Sequence, residues 1–270
     1  MAKVFTIDVS MCSGCHNCQI VCKDEFAGNE WLPYSKAQPD IGQFWMKVVE
    51  NVRGTTPKVK VHYLPHMCNH CDNPVCMAAC KANAITKRDD GLVLIAPTKC
   101  TGCKACMEAC PYDVIYFNDE QNIAQKCTGC AHLLDNGYKL PRCVEACPTD
   151  ALKFGEEEEM QDFVVGADVM KPETGCKPRV YYRNIPGRFI AGLVYDPVEK
   201  EIIRGARCLL KNGGKQYETF TDAFGDFWFR DLPVGKFDLA IHAKGYESKY
   251  WKDLSSADDL NLGEIPLDKA

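Results

Sequence analysis

Sixteen of the eighteen cysteines lie between Cys12 and Cys147 in four groups of four, and no other feature of this 270-residue chain restricts its fold so tightly. An even cysteine count suits a disulfide framework when the domain is small and secreted. Here the N-terminal MAKVFTIDVSMC carries no apolar leader segment, and its first cysteine comes at position 12. Metal binding is the favoured reading.

The first group, Cys12, Cys15, Cys18 and Cys22, and the third, Cys100, Cys103, Cys106 and Cys110, both have C-x2-C-x2-C-x3-C spacing. Three closely spaced thiolates suit three corners of a [4Fe–4S] cubane, and the fourth cysteine, on a following helix, points to a neighbouring cluster. The second group is Cys68, Cys71, Cys76 and Cys80, its inner gap stretched by HCDNPVC. In the fourth, twelve residues separate Cys130 from Cys143, yet the C-x2-C start at Cys127 and the C-x3-C-P finish at Cys147 are intact. Taken alone, this fourth group also fits two zinc knuckles. Beside two compact motifs whose third cysteine crowds a single tetrahedral ion, four iron–sulfur sites are the better reading.

Around these motifs the sequence repeats. KANAITKRDDGLVLIAPTKCTGC after Cys80 and PYDVIYFNDEQNIAQKCTGC after Cys110 each read as strand, turn, strand and next motif, with a partial copy, PTDALKF, after Cys147. The expected fold is therefore α+β, a duplicated ferredoxin-like domain over residues 1–155 with a hairpin insertion at 23–67. Within the insertion, QFWMKVVENV and PKVKVHYL flank a turn at RGTT, and Trp31, Phe44 and Trp45 read as core or cluster-covering residues. Residues 156–187 read as a short helix and an extended linker. From 188 to 270, RFIAGLVYD, GARCLLK, YETFTD, DFWFRD, KFDLAIHAKGY and NLGEIPL read as strands of an all-β sandwich, with Cys208 a buried small hydrophobe.

The formal charge of −5 argues against a nucleic-acid partner. Four cubanes, each four thiolates around a core of charge +2, would take it to about −13. Lys99, Lys104, Lys126 and Arg142 adjoin ligand positions and read either as offsets to that charge or as solvated surface. His66, His70 and His132 also lie near the motifs, but each group already has four cysteines. No apolar run approaches the ~20 residues of a membrane span. No nucleophile triad, phosphate loop or dinucleotide fingerprint appears.

The four cysteine groups, with HMCNHCDNPVC and KCTGCAHLLDNGYKLPRCVEACP among them, resemble the four-cluster iron–sulfur subunits of the dimethyl sulfoxide reductase family of molybdopterin oxidoreductases. The resemblance implies four [4Fe–4S] clusters with exchanged ligands: Cys12, Cys15 and Cys18 with Cys147; Cys127, Cys130 and Cys143 with Cys22; Cys68, Cys71 and Cys76 with Cys110; and Cys100, Cys103 and Cys106 with Cys80. It also implies a large catalytic partner holding molybdenum or tungsten bis-molybdopterin, and an external electron donor or acceptor.

FWMKVVENVRGTTP, NIAQKCTGCAHLLD, KPRVYYRN and the segment with LLKNGGK and DAFGDFWF are similar, more narrowly, to small subunits of polyphenol transhydroxylases. These end in a transthyretin-like or carboxypeptidase-regulatory-like sandwich. Such subunits are expected to have a degraded third motif and three clusters, whereas Cys100, Cys103, Cys106 and Cys110 are all present here. A complete wire suits a polyphenol hydroxylase or reductive dehydroxylase better than internal transhydroxylation. The resemblance points to the cytoplasm, with export on a partner's signal as the alternative. Competing readings are a subunit of an arsenate or sulfur-compound reductase, a free-standing ferredoxin-like carrier, and a zinc-bound structural protein. The sandwich reads as a docking or assembly module.

Overall fold

In the computed structural model, which describes residues 2–270, each cysteine group occupies a loop that runs into a short helix. The C-x3-C spacing explains why, since residues four apart share one helical face. On α1 (Asn17–Phe26) it buries Cys18, Cys22 and Phe26 together. The other three motif helices span only four or five residues: α2 (Val75–Ala78), α3 (Ala105–Ala109) and α5 (Arg142–Glu145). None has a side-chain N-cap, and isolated helices so short are not stable in water, so tertiary packing must hold them.

The chain divides into two units, the first comprising the residues up to Glu50 with His62–Ile185, the second Asn51–Val61 with Pro186–Ala270. In the first, β1 (Lys3–Asp8) is the centre of a three-stranded sheet, antiparallel to β8 (Leu152–Glu156) and parallel to β9 (Val180–Arg183). Phe5 faces Phe154 across this sheet, with ring centroids 4.6 Å apart. Two small hairpins join the inner motifs: β4 (Ile85–Lys87) with β5 (Val93–Ile95), and β6 (Tyr116–Asn118) with β7 (Ile123–Gln125). α1 packs on α5, and α2 on α3, so the first motif is partnered with the fourth and the second with the third.

The stretch 156–187, expected as helix and linker, holds the four-residue helix α6 (Gln161–Val164). It is also built into the first unit, because β9 extends the sheet and buried Arg179 bonds Asp72, Glu157 and the Lys3 carbonyl. The insertion hairpin turns at Thr56-Pro57, at the end of RGTT. Its strands β2 (Met46–Thr55) and β3 (Lys58–Met67) run through Arg53-Gly54-Thr55, and the outer part, Asn51–Val61, belongs to the second unit. There Arg53 pairs with Asp259 and Lys58 with Asp226, while Gly54 (φ +84°) leaves room for the Phe189 ring.

The rest of the second unit is two sheets. One centres on β10 (Arg188–Asp196), paired with β11 (Glu201–Ile202), β14 (Asp226–Leu232) and β17 (Leu260–Pro266). The other has the order β13 (Lys215–Phe220), β12 (Arg207–Asn212), β15 (Lys236–His242), β16 (Lys249–Ser255). Alternation sends Cys208 and Leu210 of β12, and Phe237, Leu239 and Ile241 of β15, into a core with Phe227 and Phe229. No helix among the described residues is long and apolar enough to cross a membrane.

Candidate metal centres

Three of the four motifs place glycine immediately before the second cysteine, and the backbone there is left-handed: Gly14 (φ +70°), Gly102 (φ +72°) and Gly129 (φ +63°). Each glycine also accepts a close neighbour. A Cβ would lie 2.5 Å from the Tyr63 ring at Gly14, 2.5 Å from Asn122 Oδ1 at Gly102 and 2.7 Å from Leu92 Cδ2 at Gly129. The second motif makes the same turn with His70 (φ +44°). This turn lets two cysteines three apart face one centre.

The structure gathers the sixteen cysteines into four sets, each completed from another motif. Burial first, then the charges of Cys12, Cys147 and Cys15, pushes the Cys18 thiol up to about 12. Cys143 is raised well above the ordinary value by burial, then by Cys130, Cys22 and Cys127. Cys68, Cys71, Cys76 and Cys110 line one cavity, and Cys80, Cys100, Cys103 and Cys106 another.

This arrangement fits a cluster better than a single ion. Sulfurs around one tetrahedral zinc lie about 3.8 Å apart, given Zn–S bonds of about 2.3 Å. Among the described residues, no three His, Cys, Asp or Glu side chains gather closely enough to hold one metal ion. Thiols raised to about 12 at Cys71, Cys76 and Cys130, chiefly by burial, cannot all ionise side by side unless a cationic core compensates them. Cys147 differs from these three: burial raises it, but backbone N–H groups of Leu152, Thr149 and Ala151 bring it below its ordinary value.

The sets adjoin in sequence. Cys18 of the first acts on Cys143 and Cys22 of the second, Cys127 of the second feels Cys68 of the third, and Cys76 of the third feels Cys106 of the fourth. In the second set every cysteine is buried, whereas each end set has one exposed member, Cys15 or Cys103.

A 4Fe-4S dicluster domain family matches residues 59–157, and the carboxypeptidase regulatory-like domain family matches residues 190–265. The chain is 41% identical to the pyrogallol hydroxytransferase small subunit of Pelobacter acidigallici over 97% of each. It belongs to the iron–sulfur subunits of the dimethyl sulfoxide reductase family of molybdopterin oxidoreductases. A tetrathionate reductase subunit from Salmonella typhimurium is 33% identical over 70% of this protein and 74% of its own length. An anaerobic dimethyl sulfoxide reductase subunit from Escherichia coli is 35% identical over 50% and 64%.

As a member of that family, this iron–sulfur subunit is an electron-transfer protein, and its inserted fourth-motif loop is firmly held. α4 (Ala131–Asp135) opens the loop and α5 closes it. Glu25 on α1 accepts from His132 Nε2 at 2.9 Å and from Arg142 Nε at 2.8 Å, while Trp31 stacks on His132 with centroids 4.6 Å apart. Asp135 accepts from Tyr34 and from both terminal nitrogens of Arg88, which hold its carboxyl down at about 2. Trp45 is buried against Phe26, and Phe44 lies under Lys23.

The histidines near the motifs have other occupations. His66 Nε2 meets the Tyr112 carbonyl, and His70 Nδ1 accepts from the Val93 N–H. Of the four cations singled out, Lys99 and Lys104 are exposed and Arg142 is paired with Glu25 and Glu145. Only Lys126 is buried. One residue was not legible as part of a site: Cys176, buried on the wall of the third set's cavity beside Cys71. Asp72 and Asn73 donate backbone bonds to Lys177 and Cys176, which fixes that thiol in place.

Proposed function

We infer that this subunit carries four [4Fe–4S] clusters, passing electrons between an external carrier and the molybdopterin centre of a large catalytic subunit that acts on polyphenols. The observation that carries the reading is the four-fold set of thiols, each completed from another motif and each adjoining the next. Each bound cluster takes up and returns one electron at a time. The sixteen cysteines are its ligands, in the exchanged sets described above. Gly14, Gly102 and Gly129 give the loops their turn, and the short helices aim the third and fourth cysteines of each motif at neighbouring centres. The exposed Cys15 and Cys103 mark the two ends, one for the molybdenum or tungsten centre of the partner and one for the external carrier.

Polyphenol chemistry is favoured over reduction of arsenate or sulfur compounds because the likeness to the pyrogallol hydroxytransferase small subunit runs through the sandwich. The complete third motif supports net oxidation or reductive dehydroxylation. The test is anaerobic purification of the native complex with metal analysis. The reading expects a large partner containing molybdenum or tungsten, about sixteen irons in this subunit, and cluster reduction or oxidation when a polyphenol is added. Zinc without sulfide overturns the cluster assignment, and iron without a partner makes the chain a free carrier.

A further inference from the structure

Lys126 is 3% exposed, and among the described residues it forms no salt bridge. Its ammonium donates to the carbonyls of Val93 and Cys127, the latter at 3.1 Å. Neither acceptor carries a charge. The buried imidazole of His70 accepts from the Val93 N–H at Nδ1 and supplies no negative charge. An ammonium buried this deeply requires an anionic neighbour, and the groups around it that can become anionic are thiols. Val93 lines the cavity of the third set, and Cys127 belongs to the second. The hydrogen bonds of Lys126 thus place the ammonium between the wall of the third set's cavity and a ligand position of the second set.

We propose that Lys126 is a shared counter-cation of the two inner clusters, a positioning charge that raises both of their reduction potentials together. This rests on the four-cluster reading. Adding an electron to a cluster that already carries about −2 is opposed by its own charge, and a fixed ammonium beside it lessens that opposition. One cation between two centres moves both in the same direction. Lys99 and Lys104, in solvent near the fourth set, are screened and have no comparable effect.

The experiment is an EPR-monitored redox titration of the intact complex carrying Lys126→Met and Lys126→Arg, with iron counted in each. Loss of the charge in Lys126→Met is expected to weaken the reduction equilibrium of two of the four clusters by tenfold or more, ~59 mV for a one-electron couple. The other two stay put, and Lys126→Arg restores most of the shift. Full iron with four unmoved potentials overturns the proposal, as does an equal shift of all four. If Lys126→Met fails to take up iron, Lys126→Arg decides: normal iron and potentials support a role for charge, and the same failure shows that shape alone was required. Absence of iron from the unsubstituted complex would instead defeat the cluster reading itself.

Discussion

Removing the Glu25 carboxylate should release the fourth-motif loop and, with it, one cluster. Glu25→Ala deletes the acceptor for His132, whose side chain is 2% exposed against 10% for Glu25. A hydrogen bond to a charged group in such a setting contributes about 1.5–3 kcal/mol. The Arg142 bond contributes less, because that side chain is 35% exposed and solvent screens it, so roughly 0.5 kcal/mol is reasonable. The sum, about 2–3.5 kcal/mol, corresponds to roughly a 30- to 300-fold rise in loop opening at about 1.4 kcal/mol per tenfold. It is an upper bound, since Arg88 and Tyr34 still hold Asp135.

The assay is anaerobic iron release to a chelator, with EPR following which cluster is lost. The set containing Cys130 and Cys143 should empty first, at a rate raised by up to that amount. Release within twofold of the parent rate, or equal acceleration from all four clusters, refutes the reasoning.

Gly102→Ala should cost the end cluster held by Cys80, Cys100, Cys103 and Cys106, about four irons. The left-handed backbone penalises alanine by about 1–2 kcal/mol, and its Cβ would also meet the Asn122 carbonyl at 2.7 Å; unchanged iron would refute this. Cys176→Ala should leave the iron count intact whereas Cys71→Ala loses about four irons, and loss of iron from Cys176→Ala would make Cys176 the true ligand. Phe227→Ala, at 1% exposure in the sandwich core, should destabilise the second unit by about 3–5 kcal/mol in thermal unfolding without altering the cluster spectrum.

The ligand spacing was legible because C-x2-C and C-x3-C are local geometry, a turn and one helical step, and the strand Arg188–Asp196 was legible because it is mostly buried. Lys249–Ser255 gives no strand signal: as an exposed edge strand its burial runs without a clean apolar alternation. Val180–Arg183 reads as linker because three prolines surround it, and only its pairing with Lys3–Asp8, more than 170 residues away in sequence, makes it a strand. Cys176 gives no signal at all, since the backbone pairing of Asp72 and Asn73 with Lys177 and Cys176, about a hundred residues on in sequence, is what brings it beside Cys71. Lys126 and Lys99 stand at the same motif position, one before the first cysteine, and only tertiary burial separates them.

On the proposed ligand set no cluster can form from one motif, and this ties the fold of the first unit to its metal. Cys22 must meet Cys127 and Cys12 must meet Cys147, so each of these two clusters closes a loop of more than a hundred residues and restrains the unfolded chain accordingly. Three of the helices that present these cysteines are too short to persist alone, and Cys18, Cys22, Cys68, Cys127, Cys130 and Cys143 are themselves part of the first core. The core of the second unit is Ile190, Phe227, Phe237 and their neighbours, with none of the sixteen motif cysteines among them. Chelation of iron under anaerobic conditions should therefore abolish hydrogen-exchange protection across residues 62–185 while leaving 188–270 protected. Persistent protection of the helices around Cys76, Cys106 and Cys143 in the iron-free chain would show that the apolar core alone suffices, and the clusters would then be passengers in a fold that stands without them.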